Sequence, residues 1–258
     1  MNSGRGRLLT AFSPKGGTGK SVVATSIAAA LASTLGKRTL LVDLDLQFGD
    51  AAIMLGIEPE RTIYDLVIDP GELDASQLER CTVPHSSGLA VLPAPLRPED
   101  AELVTEAKLG ALLDIARDVY EVIVVDTSSF FHGPMLATLD RTDDLLVICT
   151  LDAPTLRSVQ RSLETLELLA FPTDRIRLIL NRVDTKAGMK RADLDEALER
   201  RIRFEVPSDR AVPIAVNRGV PAVLADGRSD FARAILRMAR ELSPAEAESE
   251  ASGLLFRR

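Results

Sequence analysis

Lys15 and Lys20 bracket three glycines within Ser13 to Ser21, "SPKGGTGKS". Those residue types at that spacing suit the holding of a polyphosphate. Glycine lets backbone N–H groups approach phosphate oxygens without side-chain clash, and a helix starting just after the turn adds a favourable dipole. Gly16, Gly17 and Gly19 supply the freedom, Lys20 the charge facing β- and γ-phosphates, and Ser21 a hydroxyl for Mg2+. The common phosphate loop has Gly, four residues, then Gly-Lys-Ser/Thr. Here its first position is Pro14, followed at once by the additional lysine, Lys15. The plain alternative is a structural glycine turn ahead of a helix.

Three more apolar runs end in polar residues. In "LLVDLDLQFGD", Asp43 and Asp45 flank Leu44, and alternate residues of an extended segment project to the same side. Beside a triphosphate, such acids suit a magnesium contact through water and the positioning of an attacking water; standing alone they would read as solvated strand ends. "VIVVDTSS" presents Asp126 as a second acid on the metal side. "LILNRVD" ends its apolar run at Asn181, whose amide can donate and accept together at a purine edge or else cap a loop. His85 and His132 are isolated in separate loops without ligand spacing and read as ordinary loop residues.

The elements that must position these groups are legible as alternation. Strands are expected at Leu8–Phe12, Thr39–Asp43, Leu89–Leu92, Glu121–Asp126, Leu145–Thr150, Ile176–Asn181 and Phe204–Val206. Several are continuously apolar, as strands covered on both faces are. Between them lie helical patterns such as "SVVATSIAAALASTLG", closed by Gly36, "KLGALLDIARDVY", "PTLRSVQRSLETLELLA" and "RADLDEALERRI". Such alternation predicts an α/β fold, a mostly parallel sheet of about seven or eight strands with helices on both faces. Ligands bind at the carboxyl ends of strands in such sheets, where the candidate residues fall.

The remaining composition narrows the class. The chain has 258 residues, 46% hydrophobic and 27% charged, with 31 Lys+Arg against 38 Asp+Glu and net charge −7. One large domain is the economical reading. The acidic balance argues against a surface built for nucleic acid, and few aromatics argue against single-strand stacking platforms. Cys81 and Cys149 are too far apart in sequence to suggest a disulfide framework, and Cys149 lies in an apolar run expected to be a buried strand. With no signal peptide and no apolar run of membrane-spanning length, the expected location is cytoplasmic.

Taken in order, these pieces resemble the deviant Walker A ATPases of the MinD/ParA family, which are P-loop NTPases; "KGGTGKS" is that family's loop and Lys15 its distinguishing residue. The resemblance runs from Leu8 to about Leu242. It implies ATP and Mg2+ as cofactors, slow ATP hydrolysis stimulated by partners, and a homodimer formed on ATP binding. In that dimer Lys15 would cross to the partner's phosphates. Lys15, Lys20 and Asp45 become the catalytic set, and Ser21, Asp43 and Asp126 the metal side. Gly16, Gly17, Thr18, Gly19, Lys20, Ser21 and Val22 hold the nucleotide, with Asn181, Arg182, Pro207 and Asp209 near its base.

Two segments, "DLDLQFGDAAIMLGIEPERTIYDLV" and "LNRVD…EVPSDRAVPIAVNRGVPAV", look like the CpaE/TadZ branch. That branch helps place and assemble type IV (Flp/Tad) pili through protein partners, and it implies contact with the pilus secretion machinery and a polar address. A division-site or flagellar regulator of the MinD or FlhG kind is the alternative, and a ParA-type DNA partitioner is disfavoured by the acidic balance. A relative bridging an iron–sulfur cluster is rejected, because Cys81 and Cys149 lack ligand spacing. Members of this branch often carry a receiver-like domain ahead of an ATPase that here starts within eight residues of Met1, and "DTSSFFHGP" stands where relatives usually have Asp-x-Pro-Pro or Asp-x-Pro-Ala.

The expected division is an ATPase domain over 5–242 and an acidic, disordered tail over 243–258 ending in "GLLFRR". That ending suits a weak inner-membrane contact strengthened by avidity in a dimer, or simply a frayed end.

Overall fold

The structure is a computed structural model that describes residues 5–69, 71, 73–185 and 191–243. Its strands are β1 (Arg7–Phe12), β2 (Thr39–Leu44), β3 (Val83–Pro84), β4 (Ala90–Leu92), β5 (Val122–Thr127), β6 (Asp144–Cys149), β7 (Ile176–Asn181) and β8 (Ile202–Val206). The helices are α1 (Lys20–Ser33), α2 (Ala51–Met54), α3 (Ile63–Ile68), α4 (Ala75–Cys81), α5 (Glu106–Val119) and α6 (Gly133–Leu139), followed by α7 (Ala153–Leu168), α8 (Arg191–Leu198), α9 (Ala211–Asn217), α10 (Ala222–Ala225) and α11 (Asp230–Leu242). The strands form one eight-stranded sheet in the order β3-β4-β2-β5-β1-β6-β7-β8. All pairings are parallel except β3 with β4.

The seven expected strands all form, within a residue or two at their ends. The one missed, β3, is two residues long, antiparallel, and contains Pro84. It shows no apolar run to read, and proline is tolerated there because the strand is at the sheet edge.

Alternation along the strands divides the core by face. Leu9 and Ala11 of β1 join Leu41, Val124, Leu146 and Ile148 under α1, α2 and α9–α11. Leu8 turns the other way, into the cluster covered by α3, α4 and α5, and Phe12 into the one covered by α6, α7 and α8. Helix α1 lies between the sheet and α10 and α11, so Val23, Ala24, Ile27, Ala28, Ala29, Ala30 and Leu31 are all buried. A helix apolar on every side needs such a position. Ile27→Ala or Leu31→Ala would cost about 2–5 kcal/mol. The helix stops at Ser33, before the expected Gly36; Gly36, at φ 64°, turns the chain out while Lys37 N–H donates to the Leu31 carbonyl at 3.0 Å.

Cys149 is fully buried in β6, as expected; burial, and then the charge of Asp152, push its thiol up to about 12. Among the described residues no helix is long and apolar enough to cross a membrane. The "GLLFRR" tail lies outside the described residues.

Candidate nucleotide site

The glycine-rich loop joins β1, near the middle of the sheet, to the first residue of α1. Gly17 and Gly19 have φ of 80° and 87°, in the left-handed region that glycine adopts at little cost. At Gly19 a side chain is excluded twice over, because a Cβ would lie 2.4 Å from Asn181 Nδ2. That contact exists because Asn181, at the end of β7, donates from Nδ2 to the Thr18 carbonyl at 2.7 Å. Its Oδ1 accepts from Arg182 N–H at 3.0 Å. Asn181 thus fastens the loop to the neighbouring strand end. An amide has two N–H groups and two lone pairs, so one of each is left for a base edge.

On the other side of β1 the acids converge. Asp43 and Asp126 are Cα partners on the adjacent strands β2 and β5, with 1% and 0% exposure. Between loop and acids stands Lys20, itself 8% exposed, its Nζ 2.6 Å from Asp126 Oδ1 and 3.4 Å from Ser21 Oγ. A buried cation and two buried carboxylates are tolerated only when they neutralise one another or a ligand. Burial, and then repulsion from Asp126, push the Asp43 carboxyl up to about 8, against hydrogen bonds from Ala51 N–H at 3.1 Å and Asp45 N–H at 3.0 Å.

Asp43 is therefore also an organiser of the loop behind β2. Gly49 of "QFGD" allows this, since a Cβ there would stand 2.5 Å from Asp43 Oδ2 and 2.5 Å from Ala94 Cβ. Asp45 does not share the Asp43 environment as simple alternation predicts. The strand ends at Leu44, and Asp45 is only half-buried, its backbone held by Asp43 and by Phe48 N–H at 3.1 Å. Burial raises its carboxyl above the ordinary range, Lys20 opposing.

Lys15 reaches away from Lys20. Its Nζ lies 2.9 Å from Asp152 Oδ1, beyond the end of β6. Asp152 also caps α7, accepting from Thr155 N–H at 2.9 Å and from the hydroxyls of Thr150 and Thr155. Burial works against its charge, but the hydrogen bonds from Thr150, Lys15 and Thr155 prevail and hold it well below the usual carboxylate range. Sequence reasoning missed Asp152. The signal was present in "LLVICTLDAPT", an acid close behind a strand with Pro at the second following position, as at a helix N-terminus.

The residues expected around the base are brought together. Gly19, Val22, Asn181, Arg182, Pro207 and Asp209 line one cavity of about 440 Å3. Asp209 accepts from Ala211 N–H at 2.8 Å where α9 begins. Lys15, Gly16, Gly17 and Thr18 face a smaller cavity of about 290 Å3 with Asp152. The histidines are local, as expected: His85 Nδ1 contacts Ser87 Oγ at 2.7 Å and His132 Nδ1 the Phe130 carbonyl at 3.1 Å.

A dedicated protein cage for a metal is not found among the described residues. The residues do fit a magnesium ion held mainly by phosphates and water. Asp126 Oδ2 is fully buried without a hydrogen-bond partner, and Ser21 Oγ lies by the lysine that meets the other Asp126 oxygen.

A parallel sheet with a glycine loop at its central strand, a buried lysine and paired acids defines a P-loop nucleotide-binding domain. The CobQ/CobB/MinD/ParA nucleotide-binding domain family matches residues 9–222, and the chain belongs to it. It is 26% identical over 245 residues to the septum site-determining protein MinD of a Synechocystis strain, covering 92% of this chain and 89% of that one. A ParA family ATPase from Chlorobium tepidum superposes with TM-score 0.86 at 26% identity, covering 91% of this chain and 98% of that one. MinD from Pyrococcus horikoshii, solved with Mg-ADP, shares the fold with TM-score 0.79 at 21% identity, over 92% of this chain and 95% of that one.

Proposed function

We propose that the protein is a slow ATPase that acts as a switch, dimerising when it binds ATP with Mg2+. The observation that carries this is the pair of lysines held to opposite sides of one loop, Lys20 on Asp126 and Lys15 on Asp152. Lys20 is placed to exchange a carboxylate partner for phosphate oxygens, with the loop N–H groups cradling the chain of phosphates. Lys15 is placed outward, where leaving Asp152 would free it for the phosphates of a second copy. A cation supplied only in the dimer would stabilise charge on the transferred phosphoryl group, which ties hydrolysis to assembly. Magnesium, held by Ser21 and through water by Asp43 and Asp126, would neutralise charge on the β- and γ-phosphates. Asp45, half-exposed beside the buried acids, orients the attacking water.

Asp45→Ala should bind ATP and dimerise without hydrolysing it; wild-type turnover in this variant would move the water-positioning role elsewhere. Pro207 and Asp209 shape the base side. The "QFGD" and "NRG" segments support a finer reading, placement of a pilus machine through protein partners at a cell pole. The similarity to MinD supports a division-type positioning role at the membrane. Asp45→Ala used as an ATP-locked bait, with Lys20→Ala as empty control, separates them: secretion-ATPase and pilus-platform proteins favour the first, division regulators the second.

A further inference from the structure

The segments that carry "QFGD" and "NRG" meet in the fold, and they meet backbone to backbone. Helix α2 is closed by Gly56 and α9 by Gly219, both at φ 65°. The two ends are built alike. Gly56 N–H donates to the Ile53 carbonyl at 3.0 Å and Ile57 N–H to that of Ala52 at 2.9 Å. Gly219 N–H donates in the same way to Val216 at 3.0 Å, and Val220 N–H to Ala215 at 3.0 Å. Each is the paired closure that a left-handed glycine gives a helix end, a position that would also admit asparagine. Here the two turns lie on each other. A Cβ on Gly219 would stand 2.5 Å from Gly56 Cα, and one on Gly56 2.8 Å from the Gly219 carbonyl oxygen. Neither obstacle is a side chain that could swing aside.

Each side of this contact leads to one half of the nucleotide site. Behind Gly56, α2 starts at Ala51, whose N–H is held by Asp43 Oδ2 at 3.1 Å. Behind Gly219, α9 presents Val212, Val216 and Asn217 to the cavity that also holds Asn181 and Asp209. Ala51, Ala52 and Leu55 share one buried cluster with Ala215 of α9, and a close-packed interior transmits displacement. We propose that Gly56 and Gly219 are positioning residues that tie the seat of Asp43 to the filling of the base cavity. A nucleoside triphosphate is then favoured over a bare triphosphate in turnover as well as in binding. A base pressing on Val212 and Val216 bears, through the backbone contact, on the short helix that Asp43 holds. A triphosphate without a base fills the loop and leaves α9 unsupported. The effect on turnover rests on the ATPase reading, whereas the coupling of the two segments does not.

The test is amide hydrogen exchange of residues 45–57 in the full chain with Mg2+, comparing a non-hydrolysable ATP analogue with imidotriphosphate, each at saturation. In the wild type the ATP analogue should slow exchange there about threefold or more beyond the triphosphate. In Gly219→Ala the two ligands should give the same exchange. Turnover is read beside it: Gly219→Ala should lower kcat for ATP about tenfold with KM changed by less than about twofold. Gly56→Ala combined with it should cost no more than either alone, because both break one contact. Thermal melts show which variants fold, and the wild-type comparison decides the matter if neither does. Equal protection by the two ligands in the wild type would overturn the proposal. So would a folded Gly219→Ala protein that keeps the difference, or losses that add in the double variant. Base-dependent protection in a wild type that does not hydrolyse ATP would uphold the coupling and sink the ATPase reading instead.

Discussion

Lys15 and Asp152 face each other across the mouth of the phosphate loop, Nζ to Oδ1 2.9 Å, although 137 residues separate them. The lysine that sets this loop apart is thus held within its own chain, and the proposed dimerisation would have to compete with that contact. Both side chains are more than a third exposed, so the competing contact is weak, about 0.2–1 kcal/mol. Weakness is what a reversible latch requires.

Loosening the latch should favour the dimer. Asp152→Asn keeps a good cap for α7 while removing the charge that holds Lys15. Each of the two chains gives up one such contact, so we expect its ATP-dependent dimer to form about 2- to 30-fold more tightly than wild type in sedimentation equilibrium. Lys15→Ala should bind ATP almost normally and remain monomeric.

The same acid should leave a mark on acid denaturation. Asp152 has a lowered carboxyl in the folded protein, through the hydrogen bonds from Thr150, Lys15 and Thr155 that outweigh its burial. Its contribution to stability is therefore present above the unfolded value near 3.9 and lost as pH falls through the folded one. Thermal melts from neutral pH downward should show the gap between wild type and Asp152→Asn closing only below about pH 4. A gap that widens there would contradict the assignment.

Removing Lys20 should have two separable effects. Lys20→Ala should abolish nucleotide binding, and it should also leave Asp126 buried without its cation, costing about 3–5 kcal/mol in urea denaturation. Adding Asp126→Asn should restore much of the stability and none of the binding. If binding returned with stability, Lys20 would be structural.

Gly49→Ala probes the loop that carries Asp45. Its methyl group would meet Asp43 Oδ2 at 2.5 Å, so the carboxylate holding Asp45 N–H and Ala51 N–H must shift. Displacements of that order cost catalysis more than binding, and we expect kcat to fall about tenfold to a hundredfold with ATP affinity little changed. A matching loss of affinity would place Asp43 in ground-state binding instead.

The loop and strand ends were legible because each is a local pattern. Glycines with lysine and serine follow an apolar run, and Asp43, Asp126 and Asn181 each close one. The pairings that make a site of them were not, because they join distant segments. Nothing local says that Lys15 meets Asp152, or that the Asn181 amide fastens the Thr18 carbonyl. Alternation placed Asp43 and Asp45 alike, yet the strand ends between them, so that one is sealed against Asp126 and the other opens to a cleft. The glycine of "QFGD" read as a signature; only the fold shows that it makes room for a carboxylate.

The most direct test of the switch is the mass in solution of Asp45→Ala, with and without ATP and Mg2+, beside the same protein carrying Lys15→Ala. We predict two chains with ATP and one without for the single variant, and one chain in both conditions for the double, with ATP bound in each. A protein that binds ATP and stays monomeric, or a dimer indifferent to Lys15, would contradict the account.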